Sequence, residues 1–158
     1  MKRGSIPFLK SALVIIGLIL LAMCVFVLPP LANSTAAMNP EFSHLKYPVL
    51  LGLYATAIPF YIALYQAFSL LRCIDRNNAF SESGVKTLNQ IKNCATVIMA
   101  LYISGFVFLA LQGALHPGII LIGVTILFSC FVIFVFASVL QELLRNALKI
   151  KSENDMTV

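Results

Sequence analysis

The chain has 158 residues, of which 60% are hydrophobic and only 11% are charged, and its mean hydropathy is +0.95. A water-soluble domain carries charge on roughly a quarter of its residues, so this composition excludes an ordinary soluble domain and is typical of a chain embedded in lipid. The net charge is +5, but the basic residues flank apolar segments instead of forming one dense arm, which argues against direct nucleic-acid binding.

The first apolar run covers about residues 8–28. It follows Lys2-Arg3, a pattern that signal peptides share with first membrane helices. The 18 residues of 11–28 carry no charge, which is longer than the roughly 7–15 residues of a signal-peptide core. We therefore expect an uncleaved membrane helix, ended by Pro29-Pro30, because proline lacks the N–H that a helix needs.

A second apolar run follows the predicted outer loop 29–46 and covers about residues 47–71. It is uncharged, and its length is sufficient to cross a hydrocarbon core of roughly 30 Å. Pro59 lies within it and is expected to kink the helix, which neighbouring helices accommodate in a membrane bundle.

The third and fourth apolar runs cover about residues 94–115 and 118–140. Only His116-Pro117 separates them, so the two helices must form an antiparallel hairpin. The sequence therefore predicts an all-α integral membrane four-helix bundle, with one domain over residues 1–158.

The distribution of basic residues predicts the orientation of the bundle. Lys46 alone lies on the outer side, and ten of the eleven Lys and Arg residues lie on the inner side. Cytoplasmic segments of membrane proteins are enriched in Lys and Arg, so we expect both termini in the cytoplasm. The ten residues are Lys2, Arg3, Lys10, Arg72, Arg76, Lys86, Lys92, Arg145, Lys149 and Lys151.

The predicted inner loop 72–93 contains a helix start. Ser81 is placed to cap a helix, and Phe80 can pack on Val85 as a hydrophobic staple. The residues that follow are amphipathic, so a cytoplasmic helix is expected to lead into the third span. The fourth helix is expected to continue to Ile150 as a cytoplasmic extension within the tail 141–158, because nothing in 141–150 breaks it.

The sequence contains no group of residues typical of an enzyme or of a coupled transporter. The spans lack ionisable residues from Ser11 onward, whereas proton and ion pathways need such groups at membrane depth. His44, His116 and Glu41 are the sparse polar residues of the outer side, and we interpret them as solvated interfacial residues, not metal ligands. We therefore predict no catalytic residue, no metal and no cofactor.

Span two carries a band of polar and aromatic side chains. Tyr54 and Tyr61 repeat at seven residues, and Tyr65 and Gln66 extend the band. These four residues are candidates for an intramembrane pocket that binds an amphipathic ligand. The alternative is that their polar groups form hydrogen bonds between helices.

The inner helix and the extension of helix four each carry an apolar stripe. These stripes are a candidate surface for a small soluble partner that binds through helix contacts. The alternative is that they bury against each other or lie in the lipid headgroup region. The candidate partner surface consists of Val85, Leu88, Ile91, Leu144 and Leu148.

Several stretches carry a family resemblance, and the inner-loop and tail stretches are the more specific ones. They are Arg3-Gly4-Ser5, Tyr47-Pro48, Ile74-Asp75 through Ala79-Phe80-Ser81, and the tail 150–158. On these residues the chain resembles bacterial members of domain-of-unknown-function family 2975 over essentially its whole length.

The resemblance implies a four-span protein of the bacterial inner membrane with no family catalytic residue. It also implies a gene that often neighbours one for a small helix-turn-helix regulator. We therefore expect a non-enzymatic protein, surrounded by membrane lipid, that docks or sequesters such a regulator. The open alternatives are a small transport or ligand-sensing bundle and a membrane-stress or immunity protein.

Overall fold

The computed structural model describes residues 4–76 and 81–156, which are almost entirely helical. Within these ranges, four continuous helical stretches are long and apolar enough to cross a membrane. The predicted all-α membrane bundle is confirmed. Its elements are α1 (Ser5–Ala22), a π-helical turn (Met23–Val27), α2 (Leu28–Met38), a 3₁₀ helix (Pro40–Leu45), α3 (Lys46–Asp75), α4 (Glu82–Leu111) and α5 (Pro117–Met156).

The helices pack in chain order. In the described part of the chain, α3 contacts α4 extensively, α4 contacts α5 extensively, and α1 packs mainly on α3. The outer faces of α1 and α5 are therefore left uncovered by protein, and they carry many exposed Leu, Ile, Val and Phe side chains. In a membrane protein such faces contact lipid tails, which are as apolar as the side chains themselves.

The predicted end of the first helix at Pro29-Pro30 is wrong. A π-helical turn precedes the two prolines, and the chain stays helical through α2 to Met38. The N–H of Leu28 bonds to the carbonyl of Met23, and the wider turn removes the need for N–H groups at the prolines. The predicted outer loop 29–46 is consequently mostly helical.

The two prolines leave carbonyls that precede them without a donor from their own helix, and Cys24 O is one of these. In an α-helix, Cys24 O would accept from Leu28, whose N–H is already bonded to Met23 O, and the next residue, Pro29, has no N–H. The hydroxyl of Tyr54 on α3 donates to Cys24 O at 2.8 Å. A side chain from a different helix therefore supplies the donor that Cys24 O lacks within its own helix.

The start of α4 is as predicted. The Ser81 side chain accepts a hydrogen bond from the N–H of Gly84 at 3.4 Å, and the helix starts at Glu82. This bond satisfies one of the donors that a helix N-terminus leaves free. The predicted packing of Phe80 on Val85 lies outside the described residues.

The α4–α5 hairpin turns at Gly113. This glycine has a φ of +68°, and its neighbour Ala114 donates to Leu109 O at 2.9 Å. Glycine is favoured there because a side chain disfavours the left-handed conformation that closes a helix end. Pro117 then starts α5, where its missing N–H has no intrahelical partner to lose.

The predicted extension of the fourth helix is confirmed and is longer than expected. The sequence predicts a helix to Ile150, whereas α5 continues to Met156 and is 40 residues long. Its length is about 60 Å at 1.5 Å per residue. Roughly 20 residues cross a hydrocarbon core, so about half of α5 is available to lie outside it.

Candidate functional site

The five residues of the candidate partner surface lie mainly in the interface between α4 and α5. Leu88 is 2% exposed and Leu144 is 7% exposed, and both belong to one apolar core with Ala137. Val85 and Ile91 pack against this core and are half-buried, as is Leu148. The two stripes therefore bury against each other, which was the alternative that the sequence left open.

A shallow groove lies beside this core, at the end of the bundle where α4 starts. It has a volume of about 520 Å³. Val85 and Leu148 of the candidate partner surface line it, whereas the rest of its lining is polar or charged. These polar lining residues are Glu82, Lys86, Asn89, Gln141 and Arg145.

Gln141 forms the floor of the groove and links α4 to α5. It is 2% exposed. Its Nε2 donates to Val85 O at 3.1 Å, and its Oε1 accepts from Lys92 Nζ at 3.1 Å. A buried amide that makes both bonds avoids the cost of burying polar atoms without partners. Sequence reasoning missed this link, although a Gln three residues before Leu144 on the buried stripe was a signal for it.

The four residues of the candidate intramembrane pocket have different surroundings in the structure. The Tyr61 hydroxyl donates to Gly17 O in α1 at 2.8 Å, and the Tyr54 hydroxyl donates to Cys24 O in the π-helical turn that continues α1. Tyr65 is 67% exposed, and Gln66 is half-buried. The hydroxyls of Tyr54 and Tyr61 thus form the hydrogen bonds between helices that the sequence left open as the alternative.

A charged cluster joins α1 to the end of α3. Lys10 Nζ lies 3.6 Å from a carboxylate oxygen of Asp75. Two cations also lie near one aromatic ring there: Lys10 Nζ and the Arg72 guanidinium are each 5.7 Å from the centroid of the Phe68 ring. The starts of α1 and α4 and the ends of α3 and α5 thus share one end of the bundle, which we call the basic end.

The part of α5 beyond residue 140 exposes apolar side chains that the sequence analysis did not single out. Leu143 is 60% exposed and Ile150 is 66% exposed. They are seven residues apart and therefore lie on one face of the helix. The signal in the sequence was the same stripe pattern that led to Leu144, shifted by one residue.

The outer histidines do not form a metal site in the described residues. His44 Nε2 lies 3.3 Å from Gln112 Oε1, which joins the 3₁₀ helix to the end of α4. No group of three or more His, Cys, Asp or Glu side chains in residues 4–76 and 81–156 is placed to hold a metal ion.

Comparison with known proteins gives the relationship of the chain. The family described as "Protein of unknown function (DUF2975)" matches residues 30–158. The chain is 51% identical over 160 residues to the "Uncharacterized membrane protein YoaS" of Bacillus subtilis (strain 168), with 100% of each chain covered. No solved structure matches it. This chain is a membrane protein that belongs to the DUF2975 family.

Proposed function

We propose that this protein is a non-enzymatic protein of the bacterial cytoplasmic membrane that docks a small helix-turn-helix regulator on the extension of α5. Its basic end, with both termini, faces the cytoplasm. The enrichment of Lys and Arg at that end supports this orientation, because cationic side chains resist translocation.

The observation that carries the proposal is the length and surface of α5. The helix has 40 residues, about twice the number needed to cross the hydrocarbon core. Its distal half presents Leu143 and Ile150 as exposed apolar side chains among charged ones. An apolar stripe on a projecting helix fits the mode in which one amphipathic helix packs against a groove of a soluble partner.

The structure changes which residues are proposed to make the contact. Leu88 and Leu144 are occupied in the core between α4 and α5, so they cannot contact a partner without opening that core. Leu143 and Ile150 are the proposed anchors in their place. The choice of a helix-turn-helix regulator rests on the gene neighbourhood that the family resemblance implies.

The test is co-purification of the neighbouring regulator with the full chain in mild detergent. Leu143→Glu together with Ile150→Glu should abolish recovery of the regulator, because charge replaces the apolar anchors while the core stays intact. Ser152→Glu is the matched control, since it adds a charge to the same extension without removing an apolar group. Undiminished recovery with the double variant would refute the docking surface.

A further inference from the structure

Lys92 places a positive charge at the level of the membrane boundary. Its Nζ lies 5.5 Å from the centroid of the Phe134 ring and 3.1 Å from Gln141 Oε1. Phe134 belongs to the predicted fourth span and Gln141 follows its last residue, so the ammonium group lies beside the final turns of that span. In the described part of the chain, the one Lys or Arg that lies within 4.0 Å of a carboxylate oxygen is Lys10. Lys92 therefore has no carboxylate partner there.

The groove and Lys92 share the side chain of Gln141. Gln141 lines the groove and accepts the hydrogen bond from Lys92, so the ammonium group lies directly behind the groove floor. Lys86 and Arg145 line the same groove, against the single carboxylate of Glu82. The lining thus holds two cations and one carboxylate, with the third cation, Lys92, behind it, and this excess of positive charge favours a negatively charged occupant.

The spacing of the cations along α4 and the apolar part of the groove lining further specify the kind of molecule that would bind. Lys86 and Lys92 are six residues apart, about 9 Å along α4. This distance is close to the headgroup layer of one leaflet, roughly 5–8 Å thick. Val85 and Leu148 supply apolar lining. The half-buried Phe134, seven residues before Gln141 on the same face of α5, extends this apolar surface into the predicted span. An occupant that is anionic at one end and apolar at the other fits this arrangement.

We propose that the groove binds the phosphate headgroup of an anionic phospholipid of the inner leaflet. Lys86 and Arg145 contact the headgroup from the groove walls, and Lys92 supplies positive charge behind the floor. The acyl chains lie along the face of α5 that carries Phe134. This site is separate from the surface of Leu143 and Ile150 and does not depend on regulator docking.

The experiment measures lipid binding to the purified full chain by native mass spectrometry in detergent. The probes are dioleoyl phosphatidylglycerol, which is anionic, and dioleoyl phosphatidylcholine, which is zwitterionic. We expect the wild-type chain to prefer phosphatidylglycerol. Each single variant, Lys86→Gln, Lys92→Gln or Arg145→Gln, should reduce that preference by about fivefold, the factor that corresponds to ~1 kcal/mol per cation.

A control variant separates a specific site from general surface charge. Arg76→Gln, Lys149→Gln and Lys151→Gln together remove three charges from the same end of the bundle but lie outside the groove lining. This triple control variant should retain the preference for phosphatidylglycerol. The triple variant Lys86→Gln, Lys92→Gln and Arg145→Gln should lose it. An equal loss in both, or no preference in the wild-type chain, would overturn the proposal.

A second variant keeps the test decisive if removal of Lys92 disturbs folding. Gln141→Glu places a carboxylate beside Lys92 and preserves the shape of the side chain. It also removes the N–H donor to Val85 O, an effect that the control Gln141→Met reproduces without the added charge. The new ion pair neutralises Lys92, so the preference for phosphatidylglycerol should fall while the chain elutes from size exclusion as before. Unchanged lipid preference in this variant would contradict the proposed role of Lys92.

Discussion

The α4–α5 contact and the α1–α3 contact, at the two sides of the helix array, are stabilised by different interactions. At the α4–α5 contact, a Cβ on Gly123 would overlap the ring of Phe106, and Leu88, Ala137 and Leu144 form a buried core. At the α1–α3 contact, no residue of the most apolar stretch of the first helical segment is buried. Two tyrosine hydroxyls bonded to backbone carbonyls and one ion pair connect the helices there.

The difference shows two solutions to helix association in lipid. Burial of apolar side chains contributes little to the association of helices in lipid, because lipid tails solvate these side chains as well as protein does. The α4–α5 pair uses close packing that lipid cannot match, and the α1–α3 pair uses directed polar bonds. The first contact should therefore respond to changes in side-chain volume, and the second to the loss of single polar atoms.

The largest effect is expected from removal of volume in the α4–α5 core. Leu88→Ala should lower the free energy of unfolding by about 2–4 kcal/mol, because it leaves a cavity among well-packed side chains. Leu121→Ala, at a position that is 70% exposed to lipid, is the matched control and should cost much less. Titration with a denaturing detergent measures both values, and similar costs would mean that the α4–α5 core is not tightly packed.

Added volume should have the next largest effect, and only at one of two glycines. Gly123→Ala should destabilise the chain by about 1–3 kcal/mol, because the new methyl group collides with Phe106. At Gly17, the nearest atom to a new Cβ would be Leu64 Cδ1 at 3.5 Å, an ordinary contact, so Gly17→Ala should be close to neutral. Thermal unfolding in detergent compares the two variants, and an equal loss at Gly17 would show that α1 packs as tightly as α5.

Loss of a hydroxyl should have a smaller effect, confined to the α1–α3 contact. Tyr54→Phe should cost about 0.6–1.7 kcal/mol, the range for hydrogen bonds between membrane helices. Tyr61→Phe should cost less, because Gly17 O lies in a regular α-helix with its own backbone donor, whereas Cys24 O lacks one. Tyr65→Phe is the control at an exposed position. The same unfolding titration ranks the three, and a cost for Tyr65→Phe as large as that for Tyr54→Phe would contradict this ranking.

The smallest effect is expected at the ion pair of the basic end. Asp75 is 56% exposed in its side chain, so Asp75→Asn should cost no more than about 0–1 kcal/mol. The cost should vanish in ~1 M salt, where the screening length is about 3 Å. Unfolding midpoints at low and high salt measure this change, and a cost that is independent of salt would show that Asp75 acts through packing or hydrogen bonding instead.

Features that depend on local sequence could be predicted. The four spans follow from hydropathy, the start of α4 from the capping residue Ser81, the hairpin from the short link His116-Pro117, and the extension of α5 from the lack of a helix breaker. Each of these depends on residues that are close together in the chain, so a single stretch of sequence contains the whole signal.

Features that depend on pairing between distant helices could not be predicted. Pro29-Pro30 predicted a helix end, because the donor that supports the continued helix is Tyr54, 30 residues away from Cys24. Leu88 and Leu144 formed a stripe that suits a partner, lipid or each other equally well. The pairing of Lys92 with Gln141 depends on the register between α4 and α5, which no local pattern specifies.

The orientation of the basic end is the claim on which both proposals depend in the cell. Alkaline phosphatase fused after Asn39 and green fluorescent protein fused to the C-terminus test it in one paired assay in intact bacteria. Our account predicts active phosphatase after Asn39 and a fluorescent C-terminal fusion. Inactive phosphatase after Asn39 together with a dark but expressed C-terminal fusion would place the basic end outside and contradict it.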